Sequence, residues 1–319
     1  MRHHVFTIAL LACSALTLGS CRHKDLWYEE NSRMDVYVVF DWRNAPDAQP
    51  ESMMAYFYPA DGSQELTYTF ADREGGHASV PAGTYCGIGL NGDTSYRLGI
   101  RNTETPDGFE VYTKDAHELE GYGLQARSLP RAEESAEERM ALTPDMVWSD
   151  RQDNIELPDD FEGTRYITFY PEEIVCHYTV DILDVENIDN LHGASVDATL
   201  SGMAEGYLHG KRSTTDVAVT MPFTLKPETA ERSMHAEFLT FGECDTNKVR
   251  HMLTVYMYLT DGSKWYKTID VSDQVSTAPD PRHVHIVVRG LELPKIISGS
   301  GGFIPDVDEW RDISIDLPM

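Results

Sequence analysis

Leu253-Thr254-Val255-Tyr256-Met257-Tyr258-Leu259-Thr260-Asp261-Gly262-Ser263-Lys264-Trp265 is the stretch that decides the fold. Successive side chains of a strand point to opposite faces, so Leu253, Val255, Met257 and Leu259 fall on one face and Tyr256 and Tyr258 on the other. Asp261-Gly262 supplies a turn, Trp265 to Val271 runs back, and together they predict a hairpin. The same period of two recurs in both directions. Arg282 to Arg289 turns Val284, Ile286 and Val288 inward, and Ile174 to Leu183 alternates. Met34 to Trp42 places Met34, Val36, Val38, Phe40 and Trp42 on one face, with Asp35 and Asp41 on the other. Met53 to Tyr58 and Leu66 to Phe70 flank Asp61-Gly62, Pro81 to Tyr85 leads into a strand ending near Asn91, and Trp310 to Leu317 follows the glycine break at Gly299 to Gly302. Many short strands, regular turns and few helical patterns predict an all-β chain of β-sandwiches. The length fits two of them, residues 34–158 and 159–319, with Glu-rich Ala132 to Arg139 as a solvated linker or short surface helix.

The N-terminus reads as an export signal. Met1-Arg2-His3-His4 is a basic start, Val5 to Leu18 is an apolar and small-residue run, and Leu18-Gly19-Ser20-Cys21 closes it. The run is too short to span a bilayer as a helix, which takes about 20 apolar residues. A cysteine at the cut marks a lipoprotein signal. Cleavage between Ser20 and Cys21 frees an amine for acylation, by palmitate for example, while the thiol takes a diacylglyceryl group. Two or more acyl chains anchor stably because each buried methylene adds about 0.8 kcal/mol. Residues 1–20 are therefore expected to be a signal peptide, 21–33 a tether, and Cys21 the membrane attachment in the outer membrane or at the cell surface.

Composition narrows the partners. With 53 Asp and Glu against 26 Lys and Arg, the net charge of -27 argues against nucleic acid, which is bound by cations neutralising phosphates, and against electrostatic attachment to anionic lipid. Such a charge suits solubility on an exposed surface. Cys13 leaves with the signal and Cys21 takes lipid, so Cys86, Cys176 and Cys244 remain, an odd number that rules out a fully paired framework. Cys86 shares its phase with Ile88 and Leu90, and Cys176 with Tyr178 and Val180, as buried, inert cysteines do. No pair has zinc-site spacing, and neither a metal nor another cofactor is expected.

Three constellations bear on chemistry. His283 and His285 lie on one side of a strand, as two metal ligands would, yet opposite Val284, Ile286 and Val288 and with no third ligand nearby. Tyr256 and Tyr258 share a face and Tyr266 falls near them across the turn. An exposed aromatic face of this kind stacks on glycan rings or is covered by a partner, whereas plain cross-strand pairing only stabilises the sheet. Asp306, Asp308 and Glu309 lack the spacing and glycine of a calcium loop, and acidic pairs such as Glu172-Glu173 are too common here to mark a glycosidase. The chain has no nucleophile elbow, P-loop, dinucleotide fingerprint or His-Glu-x-x-His motif, so no enzyme is expected.

Particular words in the chain resemble those of fimbrillin-like surface lipoproteins of Bacteroidales. In the first half these are Val36 to Trp42, Val80 to Tyr85 and Thr143 to Trp148. In the second they are Ala198 to Ala204, Leu239 to Gly242, Leu259 to Lys264, Asp270 to Val275, Pro281 to Val288, Gly301-Gly302-Phe303 and Val307 to Trp310. Within that superfamily of fimbrial subunits and anchors, the chain is similar to an uncharacterised family carrying a domain of unknown function. The resemblance implies two tandem transthyretin-like β-sandwiches and a role as a fimbrial (pilus) subunit, tip or anchor in cell adhesion, with fimbrial subunits as partners. The alternative is a monomeric surface lipoprotein that binds glycan. In fimbrillins a protease cuts after an arginine of the first domain, releasing the lipidated segment with its strand and opening a groove that a neighbour's strand fills. Anchor-type members keep their lipid. Arg33, Arg43 and Arg73 lie in the corresponding region, and nothing in the sequence singles one out. Ile313 to Leu317 is either a donor strand or a strand of its own domain.

Overall fold

Val36, Val38 and Phe40 alternate with Asp35, Tyr37 and Val39, and the strand they form, Arg33–Phe40, turns the first three wholly into the interior. A computed structural model of the chain describes residues 33–94, 96–119, 123–159, 163–244, 250–296 and 310–313. Arg33–Phe40 is the middle strand of a three-stranded sheet. Gly75–Pro81 runs antiparallel on one side of it and Arg165–Phe169 parallel on the other. Facing it is a five-stranded sheet ordered Glu172–Glu173, Trp148–Leu157, Gly83–Asn91, Met53–Pro59, Leu66–Phe70. Phe40 stacks on Phe169 at 5.5 Å between the sheets, with Phe57, Tyr85 and Leu157 in the same core.

Two glycines are fixed by this packing. A Cβ on Gly89 would lie 2.7 Å from Phe40 Cε1. One on Gly75, at φ +105°, would lie 2.0 Å from the Val38 carbonyl oxygen, so only glycine lets the first strand pair there.

The expected division at residues 158/159 falls inside this sandwich and is corrected accordingly. Arg165–Phe169 lies beyond it in sequence but pairs with Arg33–Phe40 and contributes Ile167 and Phe169 to the same core. A parallel partner so distant in sequence has no turn to announce it.

The all-β expectation holds for the rest of the described residues, with one short helix at Ser272–Ser276. Eight strands form one path ordered His283–Arg289, Cys176–Leu183, Ser233–Thr240, Ala218–Glu228, Val196–Ala204, Met252–Tyr258, Lys264–Asp270, Trp310–Asp312. The expected hairpin is there, with Tyr258 opposite Lys264. Ala218–Glu228 is shared between two regions, pairing with Val196–Ala204 through Ala218 to Leu225 and with Ser233–Thr240 through Lys226 to Glu228. The sheet thereby folds over a core in which Val180, Leu200, Met221, Leu253 and Ile286 are fully buried. Among the described residues no helix is long and apolar enough to cross a membrane.

The two halves are interleaved rather than linked. Leu98–Arg101 and Glu110–Thr113 form a four-stranded sheet with Gly206–Leu208 and Ser213–Thr214. Beneath it Tyr56, Ile88, Phe109, Val175, Ala204 and Phe241 share one apolar cluster. The stretch expected to be a linker or surface helix is built in as well. Glu133–Ser135 is a single 3-10 turn and Arg139–Met140 pairs in parallel with Val219 and Thr220. Between them Glu138 accepts from Gly202 N (3.0 Å) and Thr220 Oγ1 (2.8 Å), and burial pushes its carboxyl above the usual range.

Candidate strand-exchange site

The first strand is held by its inward residues and bounded by arginines. Arg33 opens it, with the guanidinium donating to Ser79 Oγ (3.3 Å) and to the Ser79 carbonyl (2.9 Å). A cut after Arg33 would leave Met34 to Phe40 in place. Arg43 lies just past the strand in the 3-10 turn Trp42–Asn44. It is exposed, paired with Asp41 at 2.5 Å and set 4.7 Å over the Tyr170 ring. Arg73 lies after two further strands. Its guanidinium is mostly buried, donating to the Ala48 carbonyl and resting 5.1 Å from the Trp42 ring centre. Of the three, Arg43 alone sits where one cut would separate Arg33–Phe40 from the rest of its sandwich. The groove so opened would be lined by Ala78, Val80, Ile167 and Phe169.

Cys21 and the Ser20–Cys21 junction lie outside the described residues, as do Asp306, Asp308, Glu309 and residues 314–317 of the expected terminal strand. Ile313 is described and buried, and its N–H donates to the Tyr266 carbonyl at 3.0 Å. Trp310–Asp312 runs parallel to Lys264–Tyr266, so this part of the terminal strand packs in its own sheet.

The tyrosine face is corrected. Tyr256 is fully buried, and its hydroxyl donates to the Pro130 carbonyl at 2.8 Å. Tyr266 lies opposite it in register, and Trp310 packs edge-on against Tyr256 (5.4 Å) and Tyr258 (5.5 Å). Ala116, Leu119, Ala126, Leu129 and Met140 cover the cluster. Met252–Tyr258 is thus buried on both faces, and alternation alone cannot tell a covered second face from a solvated one.

His283 and His285 are exposed as expected, but the fold supplies partners that sequence reading missed. His177 on the adjacent strand stacks on His283 with centroids 5.2 Å apart and planes at 5°. Glu173 bonds His177 at 2.5 Å and Asp280 bonds His283 at 2.9 Å. Asp181 bridges three strands, meeting His285 Nε2 at 2.7 Å and His235 Nδ1 at 2.8 Å. An ion held by two imidazoles must lie in both ring planes, and the nearly parallel, separated planes of His177 and His283 do not meet at one. Both Asp181 oxygens are already engaged. Among the described residues no group of His, Cys, Asp and Glu is placed to hold a metal.

The histidine face is instead a set of titratable pairs. Partial burial acts to raise Asp181, but hydrogen bonds from His235 and His285 outweigh it and hold the carboxyl below the usual range. His235 is raised, chiefly by its bond to Asp181. A histidine raised on folding stabilises fully below its unfolded pKa of about 6.5, and the contribution is lost as pH rises through the higher folded value. The difference in melting temperature between the native protein and His235→Ala is therefore expected to be largest near about pH 5.5 and to shrink as pH rises beyond the unfolded value of about 6.5. Thermal scans across that range measure it.

The three cysteines differ in burial. Cys86 and Cys176, both expected in the core, are half-buried, Cys244 is buried, and none of the three forms a disulfide. Burial pushes the Cys86 thiol up to about 12, with a further contribution from its bond to Asp153 Oδ1 at 3.3 Å, and the Cys176 thiol up to about 11.

Comparison with known proteins follows the fold. A candidate adhesin from Bacteroides ovatus ATCC 8483 superposes with a TM-score of 0.64 at 20% identity, covering 84% of this chain and 94% of the other. Looser likenesses are the fimbrial anchor protein Mfa2 of Porphyromonas gingivalis (TM-score 0.48, 12% identity, 80% and 90% covered) and a candidate polysaccharide-binding protein of Bacteroides thetaiotaomicron VPI-5482 (TM-score 0.49, 10% identity, 81% and 91% covered). No curated protein matches the sequence. A family model described as "Domain of unknown function (DUF5119)" matches residues 20–224, more than half of the chain. The chain belongs to that family.

Proposed function

We propose that this protein is a lipid-anchored adhesin of fimbrial type, held at the outer membrane by acyl chains on Cys21 and working by strand exchange rather than catalysis. The observation that carries the reading is the position of Arg33–Phe40 in the middle of its sheet, with Val36, Val38 and Phe40 fully buried. A sheet that loses its middle strand is left with two unpaired inner edges and an apolar groove. A strand from another subunit with apolar residues at every second position satisfies both. The likeness in fold to the candidate adhesin of Bacteroides ovatus supports an adhesive role. The chain is read as two sandwich units, the first closing near Glu173. Arg33 follows Cys21 by only twelve positions, so the exchangeable strand starts within about 40 Å of the membrane.

Arg43 is the proposed maturation site. Incubating the full chain with an arginine-specific endopeptidase is expected to expose Asn44 as the new N-terminus and to convert monomer into a ladder of oligomers. A surface-extracted protein that remains an intact lipidated monomer would overturn the polymerising version and leave the anchor version standing. In cells, Cys21→Ala is expected to abolish acyl labelling and release the protein from the membrane fraction. Retention of both would refute the anchoring. The second reading, a monomeric lipoprotein that captures glycan, is favoured by the exposed Tyr166 beside Tyr37 on the outer face of the first sandwich.

A further inference from the structure

Tyr166 is 66% exposed, which is unusual for a large apolar side chain in this protein. It stands on the outer face of the three-stranded sheet, in register with Tyr37, which is in turn in register with His77 on the third strand. Ring centroids lie 5.8 Å apart from Tyr166 to Tyr37 and 4.8 Å apart from Tyr37 to His77, an aromatic row crossing all three strands. Two residues away along the same face runs a polar row of Thr164, Asp35 and Ser79. Thr164 Oγ1 donates to Asp35 Oδ2 at 2.9 Å, and Asp35 Oδ1 bonds His77 Nδ1 at 3.0 Å. A step of two residues along a strand is about 6.6 Å, close to the width of a pyranose ring.

We propose that this face binds an uncharged hexose-containing glycan, with one pyranose stacked on Tyr166, the next against Tyr37, and their hydroxyl edges donating to Asp35. The C–H face of a sugar packs on an aromatic face, and its rim of hydroxyls needs acceptors beside that face. The two rows supply the two halves of that requirement. The hydrogen bond from His77 holds the Asp35 carboxyl below the usual range, so it stays an ionised acceptor. The charge of the chain and of Asp35 itself selects against sialylated, uronic or sulfated glycans. The Tyr37 and Tyr166 planes meet at 45°, which suits a soluble, twisting chain rather than a flat crystalline surface. A protein partner would need about 800 Å² on this side, far more than three rings offer.

The site stands independently of subunit assembly, but it needs the first strand. Asp35 and Tyr37 belong to Arg33–Phe40, so glycan binding is a property of the uncut chain.

The test is titration calorimetry of the uncut mature chain against six-unit malto-, galacto-, manno- and β-gluco-oligosaccharides. At least one is expected to bind with a Kd of about 1 mM or tighter. Tyr166→Ala, which removes an exposed side chain and should fold normally, and Asp35→Asn should each weaken it by about tenfold or more. Tyr96→Ala, which removes another exposed tyrosine elsewhere, should leave it unchanged. The proposal is overturned if none of the four binds at about 10 mM, if Tyr166→Ala and Asp35→Asn retain native affinity, or if a sialylated chain binds more tightly than its neutral counterpart.

Discussion

Arg101→Ala is expected to destabilise the protein by about 2–3 kcal/mol, below the roughly 3–5 kcal/mol of a wholly buried ion pair because the Arg101 side chain is 39% exposed. Arg101 donates to Glu110 and to Glu205, and its guanidinium rests 4.4 Å from the Tyr112 ring centre. The two carboxylates are 4% and 6% exposed at the residue level, so when the arginine is lost they meet only the water that enters its place. Glu205 would keep Arg139 at 2.7 Å, but Glu110 would be left with Asn102 Nδ2 at 3.4 Å. An uncompensated buried charge, rather than a missing contact, dominates the loss. Arg101→Lys should recover only part of it, because an ammonium cannot span both carboxylates as the planar guanidinium does. Arg250→Ala breaks an exposed pair with Asp270 at 3.2 Å and should shift stability by less than about 1 kcal/mol. Guanidinium unfolding of the three variants checks the order. These residues tie Leu98–Arg101 and Glu110–Thr113 to the Gly206–Leu208 side of their shared sheet, so the damage should fall on the junction between the halves.

What the sequence discloses of this fold depends on where each signal lies. Strands such as Leu66–Phe70 and Met252–Tyr258 could be read because alternation and a nearby Asp-Gly turn are local features. The parallel pairing of Arg33–Phe40 with Arg165–Phe169 could not, because its partners lie far apart and share no turn. The burial of Tyr256 was hidden for another reason. Its cover comes from Ala116, Leu119, Ala126 and Leu129, apolar residues scattered without a period through a polar segment. The bridge from His235 through Asp181 to His285 needs three strands in the right order, and strand order is a property of the sheet rather than of any one segment. Arg33, Arg43 and Arg73 were equivalent in the sequence. They separate only because one opens the middle strand, one follows it closely, and one lies two strands beyond.

The strand that Arg43 bounds gives the second large effect. Phe40→Ala is expected to destabilise the protein by about 3–5 kcal/mol. Phe40 is fully buried, stacked on Phe169 and packed edge-on against Phe70 at 6.0 Å. Gly89 already lies close beneath it, so the cavity has little to collapse around it. Tyr37→Ala, on the outward face of the same strand, should cost no more than about 1.5 kcal/mol. If maturation runs through opening of this strand, the two variants should also differ at Arg43. A loss of about 3 kcal/mol in strand docking raises the open population about 100-fold, and cleavage follows that population when reclosing is fast. The initial rate of cutting after Arg43 should therefore rise by about two orders of magnitude in Phe40→Ala and by about tenfold or less in Tyr37→Ala. If Phe40→Ala loses its stability while Arg43 is cut at the native rate, the bond is cleaved without the strand leaving its groove. Strand exchange could not then begin at that cut.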